Sequence, residues 1–254
     1  MKFRILVTLA CLVSLSLFAQ TNQLKDLIWA DEFNVNGAPD QTKWAYDLGT
    51  GDWGWGNNES QYYTNRAHNV KVENGVLKIT SLKEVYLGSN YTSARIKTQG
   101  KFSFKYGKVE IKAKLPTGGG TWPALWMLGS DINSVGWPQC GEIDIMEHVG
   151  NSQNKIHSTL HYPNFFGANG PSKSLTISSV SSEFHIYTLD WRADAIKFYI
   201  DGTLYNTFTN SASLPFNKDF FIIINSAMGG NFAGAIDPGF DFATFEIDYI
   251  RVYN

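Results

Sequence analysis

Three carboxylates stand close together in an otherwise apolar segment near the middle of the chain. Glu142, Asp144 and Glu147 lie in the segment Gly-Glu-Ile-Asp-Ile-Met-Glu-His at 141–148. Strand side chains alternate between two faces, so Glu142 and Asp144 point the same way. Glu147 lies five positions after Glu142, and this odd step places it on the opposite face. A β-bulge, which adds one residue to a strand, restores the parity and brings all three acids to one face.

Such a trio suits a reaction site better than a folded core, because like charges on one face repel one another. Glycoside hydrolysis uses one carboxylate to attack or stabilise the anomeric carbon and one carboxylic acid to protonate the leaving oxygen. A third acid between them would hydrogen-bond to one partner and raise the pKa of the other. The alternative is that the acids merely decorate a solvent-facing strand. A tryptophan-rich segment at 122–127 and a later segment with His157 and His161 favour the site.

The elements around the trio are short strands and tight turns. Asn74-Gly75 and Asp201-Gly202 each separate two alternating segments, and both dipeptides tolerate the positive φ angles of hairpin turns. The other strand candidates are 27–33, 93–98, 108–115, 124–128, 143–149, 155–161, 185–191, 220–226 and 242–252. This pattern predicts one all-β domain, an antiparallel two-sheet sandwich, with the first and last strands available to pair.

Several aromatic rings lie in glycine-rich or polar surroundings that are unusual for core residues. Trp53 and Trp55 alternate with glycines before Asn57-Asn58-Glu59, and Trp137 lies between Gly136 and Pro138. Exposed rings can stack on the apolar faces of sugars, while Asn, Glu and Arg side chains hydrogen-bond to the hydroxyls. No glycine-rich loop with lysine, the pattern typical of phosphate binding, is present.

Composition and charge indicate where the protein acts and which classes of binding partner are excluded. Residues 1–20 carry Lys2 and Arg4, then an apolar stretch, then Ala19, which is typical of a cleaved secretory signal. We therefore expect a secreted protein, extracellular or periplasmic, with a single catalytic domain at 21–254 and no membrane insertion after cleavage. The formal net charge of −2 and the lack of a basic patch argue against nucleic acid. Cys140 alone remains after cleavage and is expected to be a small apolar residue near the site.

The segment Glu142-Ile-Asp144-Ile-Met-Glu147-His resembles the signature of glycoside hydrolase family 16 in its bulged, laminarinase-like form. The resemblance extends from about Leu27 to Asn254, with one small departure at Ser60, where relatives often carry an apolar residue. The other matching segments are Gly120-Thr-Trp122-Pro-Ala-Leu-Trp126-Met-Leu, Gly136-Trp-Pro, Asn57-Asn-Glu59-Ser-Gln61-Tyr-Tyr63-Thr, Tyr91-Thr-Ser-Ala-Arg95-Ile, Met228-Gly-Gly-Asn231 and Ile247-Asp248-Tyr-Ile-Arg251-Val-Tyr253.

This resemblance implies a jelly-roll sandwich of the concanavalin A-like type, with a substrate cleft across its concave sheet. It also implies hydrolysis with retention, with Glu142 as nucleophile, Glu147 as general acid/base, and Asp144 between them. The matching substrate-binding positions are Asn57, Glu59, Arg95, Trp122, Trp126, Trp137 and His161. For His161 a purely structural role stays open, and for His157 we expect a structural role.

Many members of this family carry a structural calcium ion far from the cleft. The matching positions are the backbone carbonyls of Glu32 and Gly75 and the carboxylate of Asp248, and oxygen-only ligation suits this hard cation. The alternative is that Asp248 only pairs locally on the last strand. No cofactor is expected for catalysis.

The expected partner is a β-glucan polysaccharide, cut at internal β-1,3 linkages by a monomeric enzyme. Mixed-linkage β-1,3-1,4-glucan is the nearest alternative substrate, and agarose and carrageenan are more distant. A non-catalytic glucan-binding protein is the alternative from another class, because a fold does not dictate an activity. A binder would not need all three acids, and this chain retains them.

Overall fold

The computed structural model describes residues 26–254, and the predicted signal segment lies outside them. Strands dominate this part of the chain. They are β1 (Leu27–Asp31), β2 (Ala45–Asp47), β3 (Gln61–Tyr63), β4 (Val70–Glu73), β5 (Val76–Tyr86), β6 (Ser89–Ser93), β7 (Arg95–Lys97), β8 (Gly107–Lys114), β9 (Thr121–Gly129), β10 (Glu142–His148), β11 (Lys155–His161), β12 (Ser172–Thr176), β13 (His185–Trp191), β14 (Ala195–Ile200), β15 (Thr203–Thr209), β16 (Phe220–Met228) and β17 (Phe242–Tyr253).

Helices are short and lie in the connections between strands. The α-helices are α1 (Ile132–Val135) and α2 (Gly230–Ala233), and the other helical turns are Gly54–Asn58, Gly150–Ser152 and Gly167–Asn169. Within residues 26–254, no helix combines the length and the apolar character that a bilayer span requires.

The strands form the predicted jelly-roll sandwich of two sheets. The seven-stranded sheet has the order β12-β11-β10-β9-β16-β7-β2. The ten-stranded sheet has the order β15-β14-β13-β8-β17-β5-β6-β3, and β1 and β4 pair with β17 and β5. All pairs are antiparallel except β3 with β6. The pairing of β1 with β17 confirms the expected contact between the first and last strands.

Both predicted hairpin turns are present. Asn74 and Gly75 have φ angles of 57° and 78° between β4 and β5. Asp201 and Gly202 have φ angles of 48° and 77° between β14 and β15. Positive φ is the conformation that these dipeptides tolerate, so the local sequence determines where these hairpins turn.

One large apolar core fills the space between the sheets. It consists of inward-facing residues from both sheets, including Leu125 and Ile143 from the seven-stranded sheet and Ile111 and Phe245 from the ten-stranded sheet. Each of these four side chains is fully buried. Alternation then turns the neighbouring residues of β9, β10 and β11 outward. The outward face of the seven-stranded sheet is therefore the surface on which the trio lies.

Candidate active site

The central strand β10 contains the predicted bulge. Its register against β11 shifts between Asp144 and Glu147, and its register against β9 shifts between Asp144 and Met146. Ile145 and Met146 are both buried, so two consecutive residues point toward the core. This extra inward residue restores the parity and turns Glu147 to the face of Glu142 and Asp144.

A loop and the neighbouring strand β11 supply the partners of Glu142. The indole Nε1 of Trp137 donates a hydrogen bond to Glu142 Oε2 at 2.8 Å. His161, directly opposite Glu142 on β11, has its Nε2 3.6 Å from Glu142 Oε1 and 3.1 Å from Asp144 Oδ2. A loop and a strand therefore fix one carboxyl group of the trio, and His161 contacts two acids rather than standing apart in the sheet.

Glu147 is held from both neighbouring strands, β9 and β11. Trp122 Nε1 on β9 donates to Glu147 Oε1 at 3.1 Å, and Thr159 Oγ1 on β11 donates to Glu147 Oε2 at 3.4 Å. His148 follows Glu147 but is fully buried, as alternation requires. Within residues 26–254 neither ring nitrogen of His148 has a hydrogen-bond partner. It therefore contributes nothing to the outward face.

Burial raises the pKa of all three carboxyl groups. For Glu142 the loss of solvent is the largest cause and repulsion from Asp144 is the next, and together they raise its pKa well above the usual value. Burial and then repulsion from Glu147 raise the pKa of Asp144 in the same way. Burial also raises the pKa of Glu147, although His161 and the hydrogen bonds from Trp122 and Thr159 oppose the shift. The trio therefore retains a proton to higher pH than isolated carboxyl groups.

A row of flat side chains runs across the strands on the β9 side of the trio. Asp144 lies opposite Trp126 on β9. The Arg95 guanidinium lies between two indoles, 4.7 Å from the ring centre of Trp126 and 4.8 Å from that of Trp55. Asp47 holds it with a 2.9 Å contact to Nε. Arg95 and Trp126, both predicted from the sequence, therefore form one surface with Trp55.

A chain of hydrogen bonds supports this row. Trp126 Nε1 donates to Asn225 at 2.7 Å, and Asn225 Nδ2 donates to the Tyr63 hydroxyl at 3.0 Å. Tyr63 in turn donates to Glu59 at 3.1 Å. Asn57 and Gln61 donate to the same carboxylate at 3.4 Å and 2.6 Å. The predicted residues Asn57 and Glu59 are thus connected to Trp126 through polar contacts.

Trp122 and Trp137 differ in their exposure. Trp137 is 44% exposed and available for stacking, whereas Trp122 is only 9% exposed. Trp122 contacts Glu147 and the ring of Phe232, whose centre lies 5.4 Å away. The structure therefore gives Trp122 a contact with an acid of the trio and leaves little of its ring open to a ligand.

The sequence did not single out several residues on the β11 side of the trio. Phe232 on α2 contacts His157, with ring centres 5.2 Å apart, in addition to Trp122. The ring centres of Phe166 and Trp137 lie 5.3 Å apart, and the hydroxyl oxygens of Ser172 on β12 and Thr159 lie 3.1 Å apart. Phe232 directly follows the motif ending at Asn231, which was the one signal for it.

The three predicted calcium ligands lie around a gap in the pairing of β17. Ile247 pairs with Leu77 of β5, and Ile250 pairs with Asp31 of β1, so Asp248 faces the interval between the two strands. Glu32 follows β1 and Gly75 precedes β5, so both flank this interval. In the described part of the chain, neither of their backbone carbonyls accepts a hydrogen bond. Asp248 contacts Lys112 at 2.7 Å, and the Glu32 carboxylate binds Arg251.

The trio and His161 include one group of side chains that could ligate a metal ion. Within residues 26–254, Glu142, Asp144 and His161 are the one group whose potential ligand atoms lie within 4.8 Å of one another. These atoms already contact each other.

Cys140 is buried, and burial raises the pKa of its thiol to about 12, which keeps the thiol protonated and unreactive.

The arrangement can therefore carry out acid–base and nucleophilic chemistry on a sugar. It places two glutamic acids at the two ends of a bulged strand, an aspartic acid between them, and a stacking surface beside them. Two carboxyl groups of this kind are the components that glycosidic bond cleavage requires.

Comparisons with known proteins agree with this geometry. The family model of "Glycosyl hydrolases family 16" matches residues 57–251. A β-glucanase of Rhodothermus marinus is 42% identical over 244 residues, covering 90% of this chain and 85% of that protein. A glucan endo-1,3-β-glucosidase of Cryptopygus antarcticus is 38% identical over 250 residues, covering 89% and 90%.

Solved structures show the same fold. A laminarinase of Flavobacterium sp. UMI-01 superposes with a TM-score of 0.85 at 44% identity, covering 90% of this chain and all of the other. The family match, the bulged acidic strand and the shared sandwich lead to one conclusion: the chain belongs to the glycosyl hydrolases of family 16.

Proposed function

We propose that this glycoside hydrolase is an endo-β-1,3-glucanase that cuts laminarin-type glucans within their length. The observation that carries the proposal is the bulge in β10, which places Glu142, Asp144 and Glu147 on one face. The relatives named as β-glucanase and glucan endo-1,3-β-glucosidase support the choice of substrate.

In the proposed mechanism, Glu142 attacks the anomeric carbon while Glu147 protonates the departing glycosidic oxygen. A covalent glucosyl–enzyme ester forms on Glu142, and the released chain leaves with the proton from Glu147. Glu147 then takes a proton from water, which attacks the ester and regenerates Glu142. The anomeric carbon is inverted twice, so its configuration is retained.

The surrounding residues control the two protonation states. The Trp137 N–H and His161 face Glu142 and stabilise its ionised form for attack. Repulsion from Asp144 raises the pKa of Glu142, so a neutral Asp144 would favour the Glu142 carboxylate more than an ionised Asp144. Burial favours a protonated Glu147, which is the form that a general acid requires.

A product assay on three polysaccharides tests this function. We expect laminarin to yield a series of short glucose oligomers, as internal cleavage requires. Preferred release from lichenan would instead identify a mixed-linkage enzyme. Activity on agarose without release from either glucan would refute the proposal.

Loss of the nucleophile separates an enzyme from a binding protein. Glu142→Ser should abolish turnover and leave laminarin oligosaccharide binding largely unchanged, because the row of Trp55, Arg95 and Trp126 remains. Calorimetric titration and a reducing-sugar assay on the same preparation measure both properties. A wild-type protein that binds but never releases product would establish the binding role.

We propose that Glu32, Gly75 and Asp248 hold a structural calcium ion. The free carbonyls and the carboxylate fit an oxygen-only site, and an ion there would join the ends of β1, β5 and β17. The ion would stabilise the folded protein, because a ligand that binds only the folded state raises the unfolding temperature. A chelator should lower the melting temperature and added Ca²⁺ should restore it. An unchanged melting temperature would contradict the proposed calcium site.

We also propose that the protein is exported, acts as a monomer and has no nucleic-acid partner. The basis is the basic and apolar pattern of residues 1–20 and the absence of a basic patch in the sequence. Amino-terminal sequencing of secreted material and light scattering of the purified protein test these points. An intact leader on the exported protein, or a stable dimer, would contradict them.

A further inference from the structure

Three side chains beside the ten-stranded sheet form a hydrogen-bonded series that the proposed glucanase mechanism does not use. Ser179 lies in the loop between β12 and β13, His185 begins β13, and Asp201 lies at the turn between β14 and β15. Ser179 Oγ is 3.1 Å from His185 Nε2, and His185 Nδ1 is 2.6 Å from Asp201 Oδ2. This order of serine, histidine and aspartate is the one in which hydrolases activate a serine nucleophile.

Asp201 determines which nitrogen of His185 carries the proton. Its Oδ1 accepts a hydrogen bond from the Ile186 backbone N–H at 2.8 Å, and this contact holds the carboxylate beside the imidazole. An ionised carboxylate only accepts hydrogen bonds, so the nitrogen that faces it, Nδ1, carries the N–H of the neutral ring. Nε2 is then the acceptor, and the Ser179 hydroxyl donates to it. His185 is only 7% exposed, so its neighbours hold the ring in this orientation.

The backbone that follows Ser179 has free hydrogen-bond donors. In the described part of the chain, the N–H groups of Val180 and Ser181 donate to no protein acceptor. The Val180 carbonyl accepts a hydrogen bond from Leu115 N at 2.8 Å, and the Val180 side chain is fully buried, so this backbone is fixed. The N–H after a nucleophilic serine is a position from which hydrolases stabilise the oxyanion of a tetrahedral intermediate.

The loop is accessible from solvent and borders an open cavity. Ser179 is half-buried rather than enclosed. Ser181, two positions later, lines a cavity of about 340 Å³ together with Leu115 and Phe242. A small ester can therefore reach the loop, and the cavity leaves room for its acyl group.

The alternative is that the three side chains only fasten the turn between β14 and β15 to β13. The contacts of Asp201 with His185 and with the Ile186 N–H already join these elements. Neither the partly exposed Ser179 hydroxyl nor the two free N–H groups after it is needed for that role. The arrangement around Ser179 therefore exceeds what a structural contact requires.

We propose that Ser179 is an activated nucleophile that hydrolyses small carboxylic esters, a second activity that does not depend on the glucanase site. Ser179 Oγ forms a bond to the ester carbonyl carbon while His185 Nε2 takes the hydroxyl proton. The bond to the leaving oxygen then breaks, and the alcohol departs with that proton. Water hydrolyses the acyl-serine in the same way, which releases the carboxylic acid and restores the hydroxyl.

A fluorophosphonate distinguishes a reactive serine from a structural one, because it forms a stable ester with an activated hydroxyl. The Ser179 oxygen–phosphorus bond forms, the phosphorus–fluorine bond breaks, and fluoride leaves while His185 takes the proton. The intact protein is labelled and then digested, and mass spectrometry of the fragments locates the label. We expect the label on Ser179, and we expect the protein to release nitrophenol from p-nitrophenyl acetate.

Variants of the three residues test the role of each. Ser179→Ala should abolish the label and the ester hydrolysis but leave laminarin cleavage unchanged, since the trio lies on the other sheet. His185→Gln removes the base and should slow labelling about 100-fold or more. Asp201→Asn, at the exposed turn, should slow it by up to about 10⁴-fold, because the imidazole loses the carboxylate that fixes its tautomer.

The neighbouring serine provides a matched control. Ser178 is exposed and directly precedes Ser179, so Ser178→Ala should be labelled at the wild-type rate. A wild-type protein without a label on Ser179 would overturn the proposal. So would equal labelling rates in the wild type and in Asp201→Asn and His185→Gln. In either case laminarin cleavage by the same preparations would show that the glucanase function stands.

Discussion

The outward faces of the two sheets use the same acidic residue types in opposite ways. On the seven-stranded sheet, Glu142, Asp144 and Glu147 lie together with His161 as their nearest basic group. On the ten-stranded sheet, acids alternate with cations. The ion pairs there are Lys108–Glu110 at 2.8 Å, Lys112–Asp248 at 2.7 Å, Lys114–Glu246 at 2.5 Å and Arg251–Glu32 at 2.7 Å.

This difference shows that neighbours and exposure, not residue type, decide what a carboxyl group does. The paired acids are partly exposed to solvent, and pairs of this kind contribute little to stability. The trio is buried without matched cations, which costs stability but raises the pKa values of its carboxyl groups. Both sheets also contain a bulge, at Asp248 and after Asp144, so the bulge alone does not make a reaction site.

The largest difference in kcat should appear between two variants, each of which replaces one glutamate by glutamine on a different sheet. Glu142→Gln removes the nucleophile, and we expect kcat on laminarin to fall on the order of 10⁴-fold or more. Glu110→Gln makes the same chemical change on the ten-stranded sheet and should leave kcat unchanged. Steady-state kinetics of both variants measures the contrast. Comparable activities in the two variants would contradict the division between the faces.

A smaller loss is expected for Glu147→Gln. Its size should depend on the substrate, because a proton donor matters less when the leaving group is good. On laminarin, kcat should fall about 10²- to 10⁴-fold. On a glycosyl fluoride the first step should be nearly unchanged, and azide should restore the second step by attacking the glucosyl ester. A variant equally impaired on both substrates would show that Glu147 is not the acid.

The alkaline limb of the pH–rate profile reports the environment of Glu147. Trp122 donates a hydrogen bond to Glu147, which stabilises its ionised form and lowers its pKa. Trp122→Phe keeps an aromatic ring but removes the donor, so the pKa of Glu147 should rise further. The alkaline limb of kcat/KM should then move to higher pH, by up to about one unit. A shift to lower pH would contradict this role of Trp122.

The smallest effects concern stability and should have opposite signs on the two faces. Burial raises the folded-state pKa of Asp144 above its ordinary value of 3.8. The contribution of this group to wild-type stability is therefore fully present below pH 3.8 and declines as pH rises toward the folded-state pKa. Asp144→Asn stays neutral and should be more stable by on the order of 1 kcal/mol near neutral pH. Glu246→Gln breaks the pair with Lys114 and should cost less than about 1 kcal/mol.

Thermal unfolding across a pH series distinguishes the two variants. The advantage of Asp144→Asn over the wild type should grow above pH 4, whereas the small deficit of Glu246→Gln should shrink with added salt. A loss of stability in Asp144→Asn at every pH would show that the trio is not strained by its charges.

Local rules explain why part of this structure was predictable from sequence. The parity of Glu142, Asp144 and Glu147 required a bulge, and the Asn-Gly and Asp-Gly dipeptides required hairpins, which the structure confirms. Most long strands lie within a few residues of their predicted bounds, because alternation is clear wherever one face is buried.

The elements that escaped prediction are those whose placement depends on tertiary contacts. Strand β2 has three residues, and β12 has mostly exposed residues without alternation, so neither shows a periodic pattern. Asn225 and Thr159 were missed because the sequence of a strand does not reveal which side chains of the neighbouring strands its polar residues contact. Phe232 was missed because its contacts with Trp122 and His157 join segments that lie far apart in the sequence.

The most direct test of the central claim, that the bulge makes Glu142 the nucleophile and Glu147 its acid, is covalent trapping. A 2-deoxy-2-fluoro laminaribiosyl fluoride slows both steps and should accumulate as a glycosyl ester, which mass spectrometry of peptic fragments locates. We predict a label on Glu142, and no label in Glu142→Gln. A label on Asp144 or Glu147, or turnover of the reagent through an inverted product without any ester, would contradict the account.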